Sequence, residues 1–378
     1  EHKPVNWVNG LKLTSSHFLD QYFSHTETAN RILGHLVTKF TYGLGEPFDG
    51  MGEALEIEIS SETLSSIVVT LKSCNAVTRG GLPILYYEGL YGDLVPSASL
   101  SHTDMAPSEN GYVVMVSVEP DKLIPVGIPD AEVAPLHHPY VLPSIRLHIV
   151  PKSQVNKAFY AEKFLPVAEI NSEGGALSVN QDYIPPVQRS GYHDGLSTFI
   201  SQLSRMMRGI KGDIRQIYSK NVTDKSRDDL AGNTFILCDT FARFFDTSIF
   251  WIEEMASEES PVRLIQAMNT LANSLNSSLL TIPEVERERL LQYYYDWTNV
   301  TPSDFLTAID EMIAVHYDHT DIAKSLHISG HFISLLNTMF HKMSELEYIG
   351  IIRENIVMGD ESSQTNELVK KRFWTFMK

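Results

Sequence analysis

The first apolar residues of the chain keep a helical spacing. Phe18, Leu19, Tyr22, Phe23, Ala29, Ile32, Leu33 and Leu36 build one amphipathic helix over roughly residues 16–36, and Ser15 or Ser16 is of the type that caps such a helix. From about Tyr42 to Val179 the period shortens to two. Leu55, Ile57 and Ile59 alternate with Glu56 and Glu58, and Ile145, Leu147 and Ile149 alternate with Arg146 and His148, as in strands that bury one face. Further strand-like runs cover 67–71, 82–87 and 111–118, punctuated by Gly80-Gly81, Pro107 and a proline-rich connection from Pro125 to Pro143. Many short strands with Gly and Pro turns predict an antiparallel sandwich.

After Pro185-Pro186 the helical period returns. Leu196, Phe199, Ile200, Leu203, Met206, Met207, Ile210, Ile214 and Ile217 form one stripe, on a helix too long to stand alone in water. A second stripe carries Phe235, Phe241, Phe244, Phe245 and Trp251. A third starts at Ser260-Pro261 and continues through Leu264, Met268, Leu271 and Leu275. A fourth starts at Thr301-Pro302, with Phe305, Ile309, Met312 and His316 on one side. Such stripes joined by short loops predict an up-and-down bundle with apolar interfaces along it.

Beyond the bundle, residues 321–329 followed by Phe332, Leu335, Leu336, Met339, Phe340 and Met343 have the rhythm of helix, tight turn, helix, with Ser329-Gly330 as the start of the second helix. Strand-like 348–357 and 369–376, around the polar stretch 359–366, would add a β-hairpin or wing. The predicted fold class is α+β. It comprises an N-terminal antiparallel β-sandwich with an arm and helix (1–190), a helical bundle (191–317) and a small C-terminal helix-turn-helix-like module with a β-hairpin (318–378).

Length and composition then narrow the function. With 378 residues and 43% hydrophobic content the chain can bury its own cores, and an excess of 17 negative charges disfavours nucleic acid and anionic membrane surfaces as partners. The two cysteines, Cys74 and Cys238, make neither a disulfide framework nor a metal knuckle. The opening residues Glu1 to Pro4 carry no signal pattern and no apolar run reaches the length of a membrane span, so a cytoplasmic location is expected.

Candidate chemistry is sparse. No GxGxxG, Walker A, HExxH, GxSxG or EF-hand pattern occurs. His316, Asp318, His319, His327, His331 and His341 are the most tempting metal ligands, but they are read as scattered solvent-facing histidines, and His137-His138 as loop surface. The Tyr293-Tyr294-Tyr295-Asp296-Trp297 run is read as a buried aromatic edge between helices or subunits. The second helix of the C-terminal module offers Ser329, Ser334, Asn337, His331 and Lys342 and no arginine, which suits protein docking better than DNA reading. No catalytic residue, cofactor or metal is assigned, and the chain is expected not to be an enzyme.

Two stretches resemble one family. Trp7-Val8-Asn9-Gly10-Leu11-Lys12-Leu13-Thr14-Ser15-Ser16-His17-Phe18-Leu19-Asp20-Gln21 is similar to the opening of the TssK baseplate proteins of type VI secretion systems, with Ser15-Ser16 where the family has Pro-Gln. Leu165 to Ile170, Gly174-Gly175 and Asp182-Tyr183-Ile184-Pro185-Pro186 resemble the family's last sandwich strands and the approach to its first long helix.

The resemblance implies a homotrimer whose sandwich resembles the shoulder of phage receptor-binding proteins and contacts other baseplate wedge subunits, with a helical neck and a C-terminal head that docks on a membrane complex. The module at 318–378 is shorter than the family's head and is expected to be a replacement contact to a different membrane-side partner. Expected interface residues are Trp7, Leu11, Leu13, His17 and Phe18 in the arm, with Phe332 and Leu336 in the C-terminal module. The competing readings are an acidic transcriptional regulator with a winged helix-turn-helix, and a sandwich hydrolase or carbohydrate binder.

Overall fold

Alternation of apolar and polar residues produces strands whose inward faces can be followed residue by residue. In β3 (Ser66–Val77) Ile67, Val69 and Leu71 are buried, then Cys74 and Ala76, so the inward parity changes along the strand. The cause is a bulge. Against β2 (Leu55–Thr63) the register runs Glu56↔Ser73 and then Ile57↔Leu71, which leaves Lys72 as the extra residue. Its ammonium bonds Glu88 at 2.8 Å and Glu58 at 3.2 Å on the outside.

The computed structural model describes residues 2–48, 53–63, 66–101, 110–156, 162–173, 176–221, 229–347 and 349–350. The hairpin expected over 348–376 and the Gly174-Gly175 pair therefore lie outside the described residues, apart from Ile349 and Gly350. The chain divides into two compact units, Glu1–Tyr192 and His193–Lys378.

The first unit opens with an arm and α1 (Ser15–Leu36) and continues as two antiparallel sheets. In one sheet β3 is the hub, paired with β1 (Gly43–Leu44), β2, β4 (Pro83–Tyr87) and β5 (Ser97–Ser101). The other has the order β7-β6-β8-β9, from β6 (Gly111–Val126), β7 (Tyr140–Pro151), β8 (Phe164–Glu173) and β9 (Ala176–Val179). The sheets pack face to face as a sandwich, with Ile67, Leu71, Ile84 and Tyr86 buried on one and Val114, Val116, Leu165 and Ile170 on the other. Tyr91 straps them together by donating its hydroxyl to the Pro143 carbonyl at 2.7 Å.

The Asp182 to Pro186 stretch closes the unit on its own beginning. The Leu44 N–H donates to the Pro186 carbonyl (2.8 Å) and the Gln188 N–H to the Leu44 carbonyl (2.9 Å). Only glycine fits beside this junction: Gly43 has φ +113°, and a Cβ there would lie 2.1 Å from the Pro186 oxygen.

The second unit is helical: α2 (Asp194–Asn221), α3 (Asp229–Phe250), α4 (Val262–Thr281), α5 (Glu284–Thr298), α6 (Pro302–Ile313) and α7 (Ile322–Glu345). Thr301 caps α6 by accepting from the Asp304 N–H at 3.0 Å, with Pro302 in the first turn. The stripe of α2 is used up inside the unit, since Leu196, Leu203, Met207, Ile210, Ile214 and Ile217 are all buried by the chain's own helices.

The structure departs from the sequence expectation at α7. Residues 322–345 form one uninterrupted helix where helix, turn and helix were expected, so no helix-turn-helix exists there. Ser325, Ser329 and Gly330 are buried in its middle, where α7 crosses α6. Ser329 Oγ donates to the Ser325 carbonyl (2.9 Å) and lies 3.5 Å from Met312 Sδ. Small residues here serve close helix packing, and the serine satisfies its own hydroxyl on the preceding turn.

Candidate protein-interaction surface

The arm is organised by short-range polar ties. The Val8–Leu11 turn is closed by the Leu11 N–H on the Val8 carbonyl (3.2 Å), with Gly10 at φ +86° in the position that demands it. The chain then enters α1 at Thr14, whose N–H donates to His17 Nδ1 at 3.3 Å, the reciprocal half of a capping box. The N-cap is thus Thr14 where Ser15 or Ser16 was expected.

Before the turn, the arm runs back along the helix. The Val5 N–H donates to Gln21 Oε1 (3.1 Å), the His2 N–H to the Glu27 carboxylate (3.1 Å), and the His2 ring stacks on Phe23 at 4.8 Å. Trp7 lies against His17 and Phe18, with ring centroids 6.3 and 6.2 Å apart. Trp7, His17 and Phe18 of the opening motif therefore form one cluster, with Gly10 making the turn and Gln21 holding the Val5 backbone.

That cluster and its helix leave a large apolar surface uncovered. Trp7 (49%), Leu13 (58%) and Phe18 (58%) are exposed, as are Val8, Leu19, Tyr22, Ile32 and Leu36, while Leu11 and His17 are half-buried. Ser24 is the residue of α1 that is buried. At its last turn the helix meets the Gly80-Gly81 turn backbone to backbone: a Cβ on Gly81, at φ +81°, would lie 2.4 Å from the Gly34 nitrogen. Phe18, Tyr22, Ile32 and Leu36 then share an outward stripe on a helix about 33 Å long.

The other two expected interface residues are elsewhere. Phe332 (1%) and Leu336 (0%) lie in the core of the helical unit, on the face of α7 that packs on its neighbours, so they belong to internal packing and not to a partner contact. Tyr293 and Tyr294 are also buried there, and Tyr294 donates to Thr234 Oγ1 at 3.0 Å.

Groups that could do chemistry are held in structural roles. Burial pushes the Cys74 thiol up to about 12 and raises that of Cys238, so both stay protonated and inert. His319 is buried and bonded to the Tyr317 hydroxyl at 2.6 Å, which corrects its reading as solvent-facing; His316, His327 and His331 are exposed. Among the described residues no group of three or more His, Cys, Asp or Glu side chains is placed to hold a metal ion, and no helix is long and apolar enough to cross a membrane.

One pairing escaped the sequence because it forms across strands: Ser117 Oγ lies 2.7 Å from His148 Nε2. Burial, and next the Arg146 charge, lower the His148 pKa, which keeps the ring neutral and able to accept. Ser117 is only 3% exposed, and among the described residues no carboxylate bonds the other ring nitrogen, so the pair has neither substrate access nor the third member of a hydrolytic triad.

No protein-family model and no curated protein matches the chain. Solved structures do. A crystal structure of TssK aligns over 90% of this chain and 69% of its own length, with TM-score 0.52 and 17% identity. TssK of the EAEC type VI secretion system bound to a nanobody aligns over 86% and 99% (TM-score 0.49, 16% identity), and a TssK-TssF-TssG baseplate subcomplex over 90% and 99% (0.47, 14%). The first of these alignments carries the structural conclusion: the chain has a TssK-like fold.

Proposed function

We propose that this chain is a structural adaptor of a type VI secretion-like baseplate, working by protein contact and without bond-making chemistry. The observation that carries this reading is the exposed stripe of the arm and α1, on a chain with the fold of TssK. An amphipathic helix in a monomeric protein turns its apolar face inward; here Phe18, Tyr22, Ile32 and Leu36 turn outward, as in a surface that another subunit covers. Trp7, Leu11, Leu13, His17 and Phe18 are its centre, and the partner is a second wedge subunit that presents an apolar groove.

The same reading makes the assembled protein a cytoplasmic homotrimer at the inner face of the cytoplasmic membrane. Its C-terminal residues beyond α7 provide the contact to the membrane-anchored complex. The transcriptional-regulator alternative loses its basis, because α7 contains no reading helix separate from the core.

Light scattering tests the trimer: the expected molar mass is about three times 42.6 kDa. Co-purification with co-expressed candidate wedge subunits tests the surface, and Phe18→Glu combined with Trp7→Glu should abolish capture while leaving the thermal midpoint within a few degrees. A monomeric mass, or undiminished capture by the double variant, would refute the proposal.

A further inference from the structure

A second apolar surface lies at the far end of the β6–β7 ribbon. β8 covers β6 only from Gly111 to Ser117, whereas β7 stays paired with β6 out to Val126↔Tyr140, so the outer part is a two-stranded ribbon. Its loop is stiffened by Pro129, Pro135 and Pro139, and closed where His138 Nδ1 meets the Gly127 carbonyl at 2.7 Å. A two-stranded ribbon has no core of its own in which to bury apolar side chains at its tip. This one presents Ile128 (90% exposed), Leu136 (67%), Tyr140 (69%) and Val133 (43%), beside the acids Asp130 and Glu132.

The same unit holds a groove of matching character. About 350 Å³ in volume, it is lined by Tyr91, Leu94, Val95, Ile124 and Leu147, with Arg146 at its side. Leu94 and Val95 are 47% and 42% exposed, which is high for an aliphatic pair facing a cavity that holds several aliphatic side chains. The Arg146 guanidinium forms an ion pair with Glu119 at 3.6 Å, and both side chains are well exposed, at 46% and 39%.

We infer that the tip of the β6–β7 ribbon inserts into the Leu94–Val95 groove of a second copy of this chain. The knob is apolar and acidic; the socket is apolar and carries Arg146, whose exposed pairing with Glu119 is weak enough to leave it open to a second carboxylate. The contact has to form between copies because Ile124, which lines the socket, lies on the strand that carries the knob away from it. The pairing Leu123↔Pro143 through Val126↔Tyr140 keeps that ribbon extended and sets Ile128 about 14 Å beyond Ile124. Each copy gives one knob and receives one, a head-to-tail contact of the kind that closes into a ring. The inference rests on the self-assembly proposed above and names the surfaces that produce it.

Cysteine pairing tests it on the full chain, whose native Cys74 and Cys238 are buried and do not compete. A Leu136→Cys copy is co-expressed with a Val95→Cys copy carrying a tag of distinct mass, and oxidised. The expected product is a disulfide-linked heterodimer that neither variant gives alone. In parallel, Ile128→Asp with Leu136→Asp should reduce the molar mass to that of one chain without moving the thermal midpoint by more than a few degrees, since both side chains are exposed.

An oligomer of unchanged mass that yields no heterodimer overturns the knob-and-socket contact and leaves the adaptor reading standing. A wild-type protein that is monomeric overturns both.

Discussion

Two phenylalanines with the same sequence credentials separate core from interface. Phe332 and Phe18 each sit in an apolar stripe of helical period, yet Phe332 is 1% exposed and Phe18 58%. Truncating a buried phenylalanine to alanine costs about 3–5 kcal/mol, because a cavity remains where the ring was. For Phe18 only about two-fifths of the ring is covered, so the burial lost is roughly 1 kcal/mol, and the better helix propensity of alanine returns about half of that.

With a urea dependence of about 2–3 kcal/mol per molar, Phe332→Ala should lower the unfolding midpoint by more than about 1 M and Phe18→Ala by less than about 0.3 M. The assay is far-UV circular dichroism at two protein concentrations, which separates folding from association. A Phe332→Ala protein that keeps its midpoint and loses only self-association would refute the placement of α7 in the core.

Other expectations follow from single contacts. Gly43→Ala forces a side chain into left-handed backbone against the Pro186 carbonyl; a loss of about 2 kcal/mol or more, read as a fall in the sandwich's thermal midpoint, is expected. Thr301→Ala removes the cap of α6 and should cost about 1 kcal/mol in the same kind of melt, with Thr301→Ser retaining most of it.

His341 of α7 faces Asp213 of α2 at 3.5 Å and Glu345 of its own helix at 3.5 Å, with Lys342 alongside; the Asp213 hydrogen bond raises its pKa above the ordinary 6.5. Its contribution is therefore fully present below about pH 6.5 and is lost as pH rises through the raised value. The midpoint difference between wild type and His341→Gln should shrink over that window, and a difference that grows with pH would contradict the assignment. With the imidazole 44% exposed, the effect should stay below about 1 kcal/mol.

Much of the fold was legible because period and punctuation agreed. The first helix, the alternation in β2 and β7, the strand-like run at 67–71 in β3, and the proline-marked starts of α4 and α6 were all readable in the sequence. Helix α5 was not, because Glu284, Glu286 and Glu288 precede Tyr293 to Tyr295 and no single stripe emerges. Ser329-Gly330 misled for a different reason: small polar residues signal a turn locally, and only the packing of α6 on α7 makes them a helix contact.

The proline-rich stretch read as a connection, yet Pro125 lies within β6 and Pro143 within β7, in the part of that ribbon that β8 does not cover and where a missing N–H costs less. The Ser117–His148 pair depends on a cross-strand register that no local pattern encodes.

Period alone also cannot say what covers a stripe, and here that distinction carries the function. The stripe of α2 and that of α1 have the same kind of spacing, but the first finds partners within the chain and the second does not. An uncovered stripe would normally be a hazard of collapse or aggregation, tempered here by 17 excess negative charges. Its ordering nevertheless does not wait for a partner: His2 on Glu27, Val5 on Gln21 and Thr14 on His17 hold the arm through polar contacts, beside the ring contacts of His2 with Phe23 and of Trp7 with Phe18. A partner that covers Trp7, Leu13 and Phe18 then gains their burial without ordering a loose segment, which is the condition under which a modest apolar patch supports stable association. Breaking one tie should therefore weaken partner capture without touching the apolar surface. Gln21→Ala is expected to reduce affinity several-fold at unchanged thermal stability, and a titration showing wild-type affinity for that variant would mean the arm is ordered by the partner instead.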